Sequence, residues 1–357
     1  MFAGVGGLSL GLKQAGFEVI AAIEKDPINC DTYKNNFPTT RVFESALEDV
    51  DITEISPGKP VDVVFGGPPC QGFSLIGKRD VNDPRNTLIF DYLVAASKLD
   101  PKYIVMENVP GIMQGSAKSL MDRWVDQAQG LGYEVVTPIQ VLTASEFGVP
   151  QKRKRTFVFA YRFDCDKPSY PQPVTLNGNT PTVRDAIGDL PIIENYEQLL
   201  SSDSAVVQFG PRTDYANSLL HECDCKMGMS AHRIRKVRVV TASKRTTHTQ
   251  AIVDRFAKVE PGKTDPVSRF ARLNMDSQAP TIRAGTGPDH GSHTAARPIH
   301  PEQPRCITVR EAARLHSFPD WFVFNPTVWH GFKQVGNSVP PKMAEAVSNS
   351  LIRWLRD

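Results

Sequence analysis

The chain has 357 residues, 40% hydrophobic and 22% charged, with 41 Lys and Arg against 39 Asp and Glu. That length buries a sizeable core with room for one large and one small domain, and a net charge of +2 announces no polyanionic partner, so a basic surface must be local. No stretch approaches the ~18 apolar residues of a membrane span, no basic leader precedes an apolar run, and Cys30, Cys70, Cys165, Cys223, Cys225 and Cys306 lack the spacing of a disulfide framework. These features argue against a membrane protein or a disulfide scaffold, and a reducing cytoplasmic setting is the expectation.

The chain opens with "MFAGVGGLSLGL" (1–12), a glycine-bearing loop that runs straight into an amphipathic helix. Such loops hold nucleotide-like cofactors, ordinarily after a buried strand that fixes them. Only Met1 and Phe2 stand where that strand belongs. The expectation is that the natural chain begins upstream or is trimmed here; a chain starting at Met1 would bind its cofactor weakly. Ser9 occupies the place of the third glycine of a nicotinamide-dinucleotide fingerprint, which argues against a dehydrogenase.

Beyond the loop, "FEVIAAIE" (17–24), "VDVVF" (61–65), "KYIVMENV" (102–109), "YEVVTPIQVL" (133–142) and "RTFVFAYR" (155–162) read as strands. Residues 27–36, 86–99 and 116–130 read as helices, the second with Leu88, Tyr92, Ala95, Ala96 and Leu99 on one face. The alternation predicts an α/β fold with a mostly parallel sheet and helices on both faces. Ligands then bind beyond the carboxyl ends of strands, in the loops after residues 24, 65 and 109. After residue 163 periodicity fades, and residues 164–325 read as a smaller, irregular domain. Residues 326–357 return to the first domain (1–163) through "PPKMAEAVSNSLIRWLRD", a helix started by prolines with Met343, Val347, Leu351 and Leu355 in register.

Four stretches carry chemistry. "VVFGGPPCQGFS" (63–74) ends a strand in two glycines, and its prolines stiffen the turn that presents Cys70. A lone cysteine is most often an inert core residue; at the carboxyl end of a strand it is a candidate nucleophile. "YIVMENVPG" (103–111) puts Glu107 at the end of the next strand, as a candidate general acid. In "VPQKRKRTFVFAY" (149–161), period-two spacing sends Gln151, Arg153 and Arg155 to one face and Lys152 and Lys154 to the other. "FKQVGNSVPPKMAEAV" (332–347) offers backbone donors and an amide side chain at a helix start.

Taken in order, "FAGVGG", "GPPCQGFS", "ENVPG", "QKRKR", "ITVREAARLHSFPDWF" (307–322) and "QVGNSVPP" resemble the blocks of the DNA (cytosine-5)-methyltransferase family, over nearly the whole chain except about 164–275. The resemblance implies a Rossmann-like sheet dependent on S-adenosyl-L-methionine, with a smaller target-recognition domain at 164–325. It implies that the Cys70 thiolate adds to C6 of a flipped-out cytosine so that C5 can accept a methyl group. Glu107 then contacts cytosine N3, and Arg153 and Arg155 contact O2 and the neighbouring phosphate and sugar. Phe2, Gly4, Gly6, Gly7, Glu24, Pro69, Leu88 and Asn337 fall on cofactor-binding positions, Glu24 on the one that accepts the ribose hydroxyls. The family's acid for the adenine amine has no settled counterpart among Glu48, Asp49 and Asp51.

Residues 71–86 resemble the loop that closes on double-stranded DNA, with Gln71, Ser74, Arg79 and Arg85 as contacts. Residues 221–250 carry seven Lys or Arg against two acids, and Arg233, Arg235, Lys244 and Arg245 are candidate contacts to bases and phosphates. His221, Cys223, Cys225 and His232 suggest zinc, but their C-x-C spacing is tighter than structural zinc sites use, and no metal is expected. The expected role is modification in a restriction–modification system, by a monomer, with any cognate endonuclease acting separately. A tRNA cytosine-5 methyltransferase and a non-catalytic DNA-binding regulator are the alternatives. The first would carry a Cys-Phe-Thr signature, absent here, and the second would not need Cys70, Glu107 and the two arginines.

Overall fold

The computed structural model describes residues 1–69, 87–115, 117–175, 179–220, 238–285 and 297–355. Its first half alternates short helices and strands in chain order: α1 (Gly7–Gln14), β1 (Ala21–Glu24), α2 (Pro27–Asn36), β2 (Arg41–Glu44), β3 (Val63–Gly66), α3 (Leu88–Ser97), β4 (Tyr103–Asn108), α4 (Ala117–Gly130), β5 (Tyr133–Val135), β6 (Gln140–Thr143) and β7 (Lys154–Arg162). Local chemistry sets the boundaries. Asp26 caps α2 by accepting from Ile28 N, and Pro27 begins it, where a missing N–H costs nothing. The long apolar run at 133–142 is interrupted around Pro138 and makes two short strands rather than one.

The sheet is mixed rather than mostly parallel. β1 pairs with β2 and β3 with β4 in parallel, while β7 runs antiparallel to β4, β5 and β6. A strand buried on both faces is a continuous apolar run in either direction, so the pattern of residues 155–162 could not reveal the reversal.

The β1–β2 pair and the β3–β4–β7–β5 sheet are separate ladders. Residues at the amino terminus touch both: Ala3 N donates to Ile23 O at 3.0 Å, and the Met1 amine to Phe65 O at 2.7 Å. Below them an apolar groove of about 370 Å³ lies between the free edges of β1 and β3, lined among others by Leu12, Val19, Val63 and Phe65. Burial pushes the Met1 amine down to about 5.

The second half holds α5 (Val183–Ile187), β8 (Ala205–Val206), α6 (Asp214–Ser218), β9 (Val239–Val240), α7 (Gln250–Ala257), α8 (Val309–Leu315), α9 (Val328–Asn337) and α10 (Pro341–Ile352). α10 has Met343, Val347 and Leu351 buried in the register expected from the sequence, but Leu355, expected to continue it, lies past the helix end and is only half-buried. It packs directly on α1, where a Cβ on Gly11 would stand 2.4 Å from Ala344 Cβ. One core crosses residue 163: Val5, Tyr33 and Phe37 pack in the same cluster as Ile282, Leu315, Phe318 and Phe332. Buried charges in α8 tie this core together. Arg310 donates to Pro319 O and Phe322 O, and Arg314 pairs with Asp189 and Asp320. No described helix is long and apolar enough to cross a membrane.

Candidate active site

A cleft opens beyond the carboxyl ends of β1, β3 and β4, where the α/β pattern places ligands. Phe2, Gly4, Gly7, Gly67, Glu107 and Asn337 are among its lining residues. The glycine loop forms its floor, and each glycine there has a separate steric reason. Gly4 and Gly6 have left-handed φ of +55° and +94°. A Cβ on Gly6 would lie 2.3 Å from the Phe37 ring and one on Gly7 2.5 Å from Val339 O, whereas one on Gly4 would meet nothing within 4 Å among the described residues. Phe2 also has positive φ, at 54°, a strained conformation of the kind that clusters at functional sites.

Glu24 ends β1 and organises the loop rather than lining the cleft directly. Its two carboxylate oxygens accept from Gly4 N at 2.8 Å and Asp26 N at 2.9 Å, and each keeps a further lone pair for a hydroxyl. Asn337 is exposed at the end of α9. Glu24 thus offers acceptors to a pair of hydroxyls and Asn337 an amide, and among the described residues no side chain stands in front of Gly4. Leu88 begins α3 and Pro69 ends the described turn; neither is among the residues lining the cleft.

Glu107 sits where the cleft meets the strand ends. Arg155 Nε lies 2.5 Å from Glu107 Oε1, and the two side chains are only 14% and 13% exposed. β4 and β7 bring them together, since Asn108 pairs with Thr156 and Glu107 with Phe157. A Cβ on Gly67 would be 3.1 Å from Glu107 Oε2, so the glycine keeps space for the acid. Asn108 Nδ2 donates to Pro68 O at 3.1 Å, which ties the Gly-Pro-Pro turn to β4 two residues before Cys70. Tyr92, on α3, braces the two strands that lead into the site, its one hydroxyl proton shared between Val105 O at 2.8 Å and Val64 O at 3.1 Å.

Arg153 is the clearest departure from expectation. Gln151 and Arg153 do share a face, opposite exposed Lys152 and Lys154, but both are buried within protein. Arg153 donates to Ile282 O at 3.0 Å and Gly336 O at 2.8 Å, and in this arrangement it is buried among described residues rather than lining the cleft. Arg155 is the arginine of this pair that reaches Glu107.

Cys70, Gln71, Ser74, Arg79, Arg85, Arg233 and Arg235 lie outside the described residues, as do His221, Cys223, Cys225 and His232. Lys244 is half-buried, and Arg245 donates to Glu194 O at 3.4 Å, which ties it to its own half of the molecule. The free cysteines that are described are poor nucleophiles. Burial pushes the Cys30 thiol up to about 12 and the Cys306 thiol up to about 11, and also raises Cys165. Asn29 and Val339 also line the cleft. No sequence signal marked Asn29; Val339 follows the Gly-Asn-Ser turn and was within reach of that motif.

Residues 1–353 match the C-5 cytosine-specific DNA methylase family. Among its relatives, the chain is 44% identical to the type II methyltransferase M.XorII of Xanthomonas oryzae pv. oryzae, over all of this chain and 84% of that protein. It is 33% identical to the type II methyltransferase M.DdeI of Desulfomicrobium norvegicum, over 99% of this chain and 88% of the relative. A crystal structure from E. coli, described as a DNA modification methyltransferase encoded within a prophage, superimposes with a TM-score of 0.85 at 31% identity, covering 100% of this chain and 98% of that one.

Proposed function

The chain belongs to the C-5 cytosine-specific DNA methylase family, and from that premise we propose that it is the modification enzyme of a type II restriction–modification system, methylating cytosine at C5 within a specific duplex sequence. The arrangement that carries this reading is the shared wall of the cleft. Glu107, held at 2.5 Å by Arg155, and the glycine loop anchored by Glu24 face one space, so an acid and a cofactor seat meet at the end of one sheet.

S-adenosyl-L-methionine, when bound, supplies an electrophilic methyl group. Glu24 and Asn337 would hold it, with Phe2, Gly4, Gly6 and Gly7 shaping the floor and Pro69 and Leu88 flanking. Cys70, two residues beyond the Pro68 that Asn108 holds, adds as a thiolate to C6 of the flipped cytosine, and the electron pair becomes available at C5. Glu107 turns from Arg155 to the N3 edge of the base and supports protonation there, while Arg155 holds charge that builds on the ring. After C5 has accepted the methyl group, a base takes the C5 proton, the N3 proton returns to Glu107, and the electron pair of the broken C5–H bond expels the Cys70 thiolate from C6, restoring the aromatic ring. Extrusion of the base costs a few kcal/mol, which residues 71–86 with Gln71, Ser74, Arg79 and Arg85 offset by closing on the strand. The span 164–325, through Arg233, Arg235, Lys244 and Arg245, reads the sequence. The enzyme acts as a monomer, apart from any endonuclease that cuts the same site.

Expression in a host without cytosine methylation, followed by bisulfite sequencing, tests the reading. One short methylated motif is expected with this chain and none with Cys70→Ala. Methylation that survives Cys70→Ala, or no methylated motif, would overturn it.

A further inference from the structure

Three buried polar side chains outside the reacting centre join the two halves of the molecule. Gln151, just before β7, donates through Nε2 to Leu315 O at 3.2 Å and meets His316 Nδ1 at 3.0 Å, while its Oε1 accepts Ile282 N at 3.1 Å. His316 Nε2 lies 2.9 Å from Ser338 O. A carbonyl only accepts, so Nε2 carries the proton and Nδ1 is the acceptor for the Gln151 amide. Burial and the nearby Arg153 guanidinium hold the imidazole far below its ordinary value, in the neutral form that this pattern needs. Arg153 completes the set by bridging Ile282 O and Gly336 O.

The backbone of Ile282 is thus gripped at both its N–H and its C=O, by residues on either side of Lys152. Arg153 and His316, the latter held by Gln151, grip the carbonyls of Gly336 and Ser338, and between those two stands Asn337, which lines the cofactor cleft. Packing leaves no slack in this join. A Cβ on Gly336 would lie 2.4 Å from Ala284 N and 2.5 Å from Arg283 C. Upstream, Ala279 is paired on both sides, with Pro150 O and Lys152 N each at 2.9 Å. The segment 279–284 belongs to the span expected to recognise DNA, and it is joined to the turn that carries Asn337 by direct contacts, through Arg153 and against Gly336.

We propose that Gln151, Arg153 and His316 are positioning residues that register segment 279–284 against the Gly336–Asn337–Ser338 turn, so that cofactor binding and DNA engagement strengthen each other. The proposal rests on the reading of the cleft as the cofactor seat. Linkage makes the effect reciprocal: whatever factor DNA contributes to cofactor affinity, the cofactor contributes to DNA affinity.

Calorimetric titration with S-adenosylhomocysteine, with and without a duplex carrying the methylated motif, measures the coupling. In the unaltered protein the duplex is expected to tighten binding at least ~5-fold, the lower end of common allosteric couplings. His316→Ala is expected to reduce that to less than about twofold. His316→Gln, whose amide can both donate to Ser338 O and accept from Gln151, is expected to restore most of it; Arg153→Lys, which cannot span two carbonyls as a planar fork does, is expected to lose it. Full coupling in a folded His316→Ala protein would overturn the proposal.

A second measurement needs no variant. Hydrogen exchange at the Ile282 amide, bonded to Gln151, is expected to slow when S-adenosylhomocysteine alone is added, and an unchanged rate would overturn the proposal even if His316→Ala fails to fold. An unaltered protein that binds no S-adenosylhomocysteine would instead overturn the cofactor reading on which the proposal stands.

Discussion

The Glu107–Arg155 contact can be weighed by a double-mutant cycle of Glu107→Gln, Arg155→Met and the two combined. The pair lies at 2.5 Å with both side chains about seven-eighths shielded, between the surface pairs worth about 0–1 kcal/mol and the buried pairs whose breaking costs about 3–5 kcal/mol. A hydrogen bond to a charged group contributes about 1.5–3 kcal/mol net, and that is the expected coupling. Each single change is expected to cost about as much, because it leaves one partner shielded and unpaired, and the double change should cost clearly less than the sum. Urea denaturation of the four proteins reads the coupling, and single-turnover methylation reads the chemistry. There, Glu107→Gln should slow transfer about 10²–10⁴-fold, the usual worth of a placed acid. Independent sites add within about 0.3–0.5 kcal/mol; a coupling inside that margin would show that the pair does not form in solution and would remove the argument for Arg155 as the arginine of the site.

The two loop glycines should fail differently. Gly7→Ala forces a methyl to 2.5 Å from Val339 O, so a loss of about 1–3 kcal/mol from overpacking, seen calorimetrically, should accompany weaker cofactor binding. Gly4→Ala meets no atom of the described residues within 4 Å but holds a left-handed φ of +55°; it should cost only about 1–2 kcal/mol while its methyl projects into the cleft and blocks S-adenosylhomocysteine. Glu311 gives an acid-sensitive join. Burial alone would raise its pKa, but Arg305, His300 and the Thr308 N–H overcome this and hold it at about 2, against 4.5 unfolded. A depressed carboxylate stabilises fully above pH 4.5 and loses that contribution as pH falls towards 2, on the order of 3 kcal/mol; the acid slope of stability should flatten in Glu311→Gln. Finally, four or five apolar residues added before Met1 should lie in the groove between β1 and β3, join the two ladders and raise the Tm. An unchanged Tm would show that the groove does not accept a strand.

Much of this protein was legible in one dimension. Helix α2 was legible at 27–36 from its helical pattern, and α10 from its prolines and the spacing of Met343, Val347 and Leu351, because helical periodicity and helix starts are local properties. The glycines of the first loop, the turn before Cys70 and the acid at the end of β4 were readable for the same reason: each requirement is met within a few residues. Period-two spacing also separated Gln151 and Arg153 from Lys152 and Lys154 correctly.

What lay across from each face was a matter for the tertiary structure. The partners of Arg153, Ile282 and Gly336, stand 129 and 183 residues away, and no local pattern distinguishes an arginine that binds a phosphate from one that binds two carbonyls of its own chain. The reversal of β7, the separation of β1 and β2 from the main sheet and the core shared across residue 163 belong to the same class. Apolar runs specify burial without specifying a neighbour or a direction, so those choices were made only when distant segments packed.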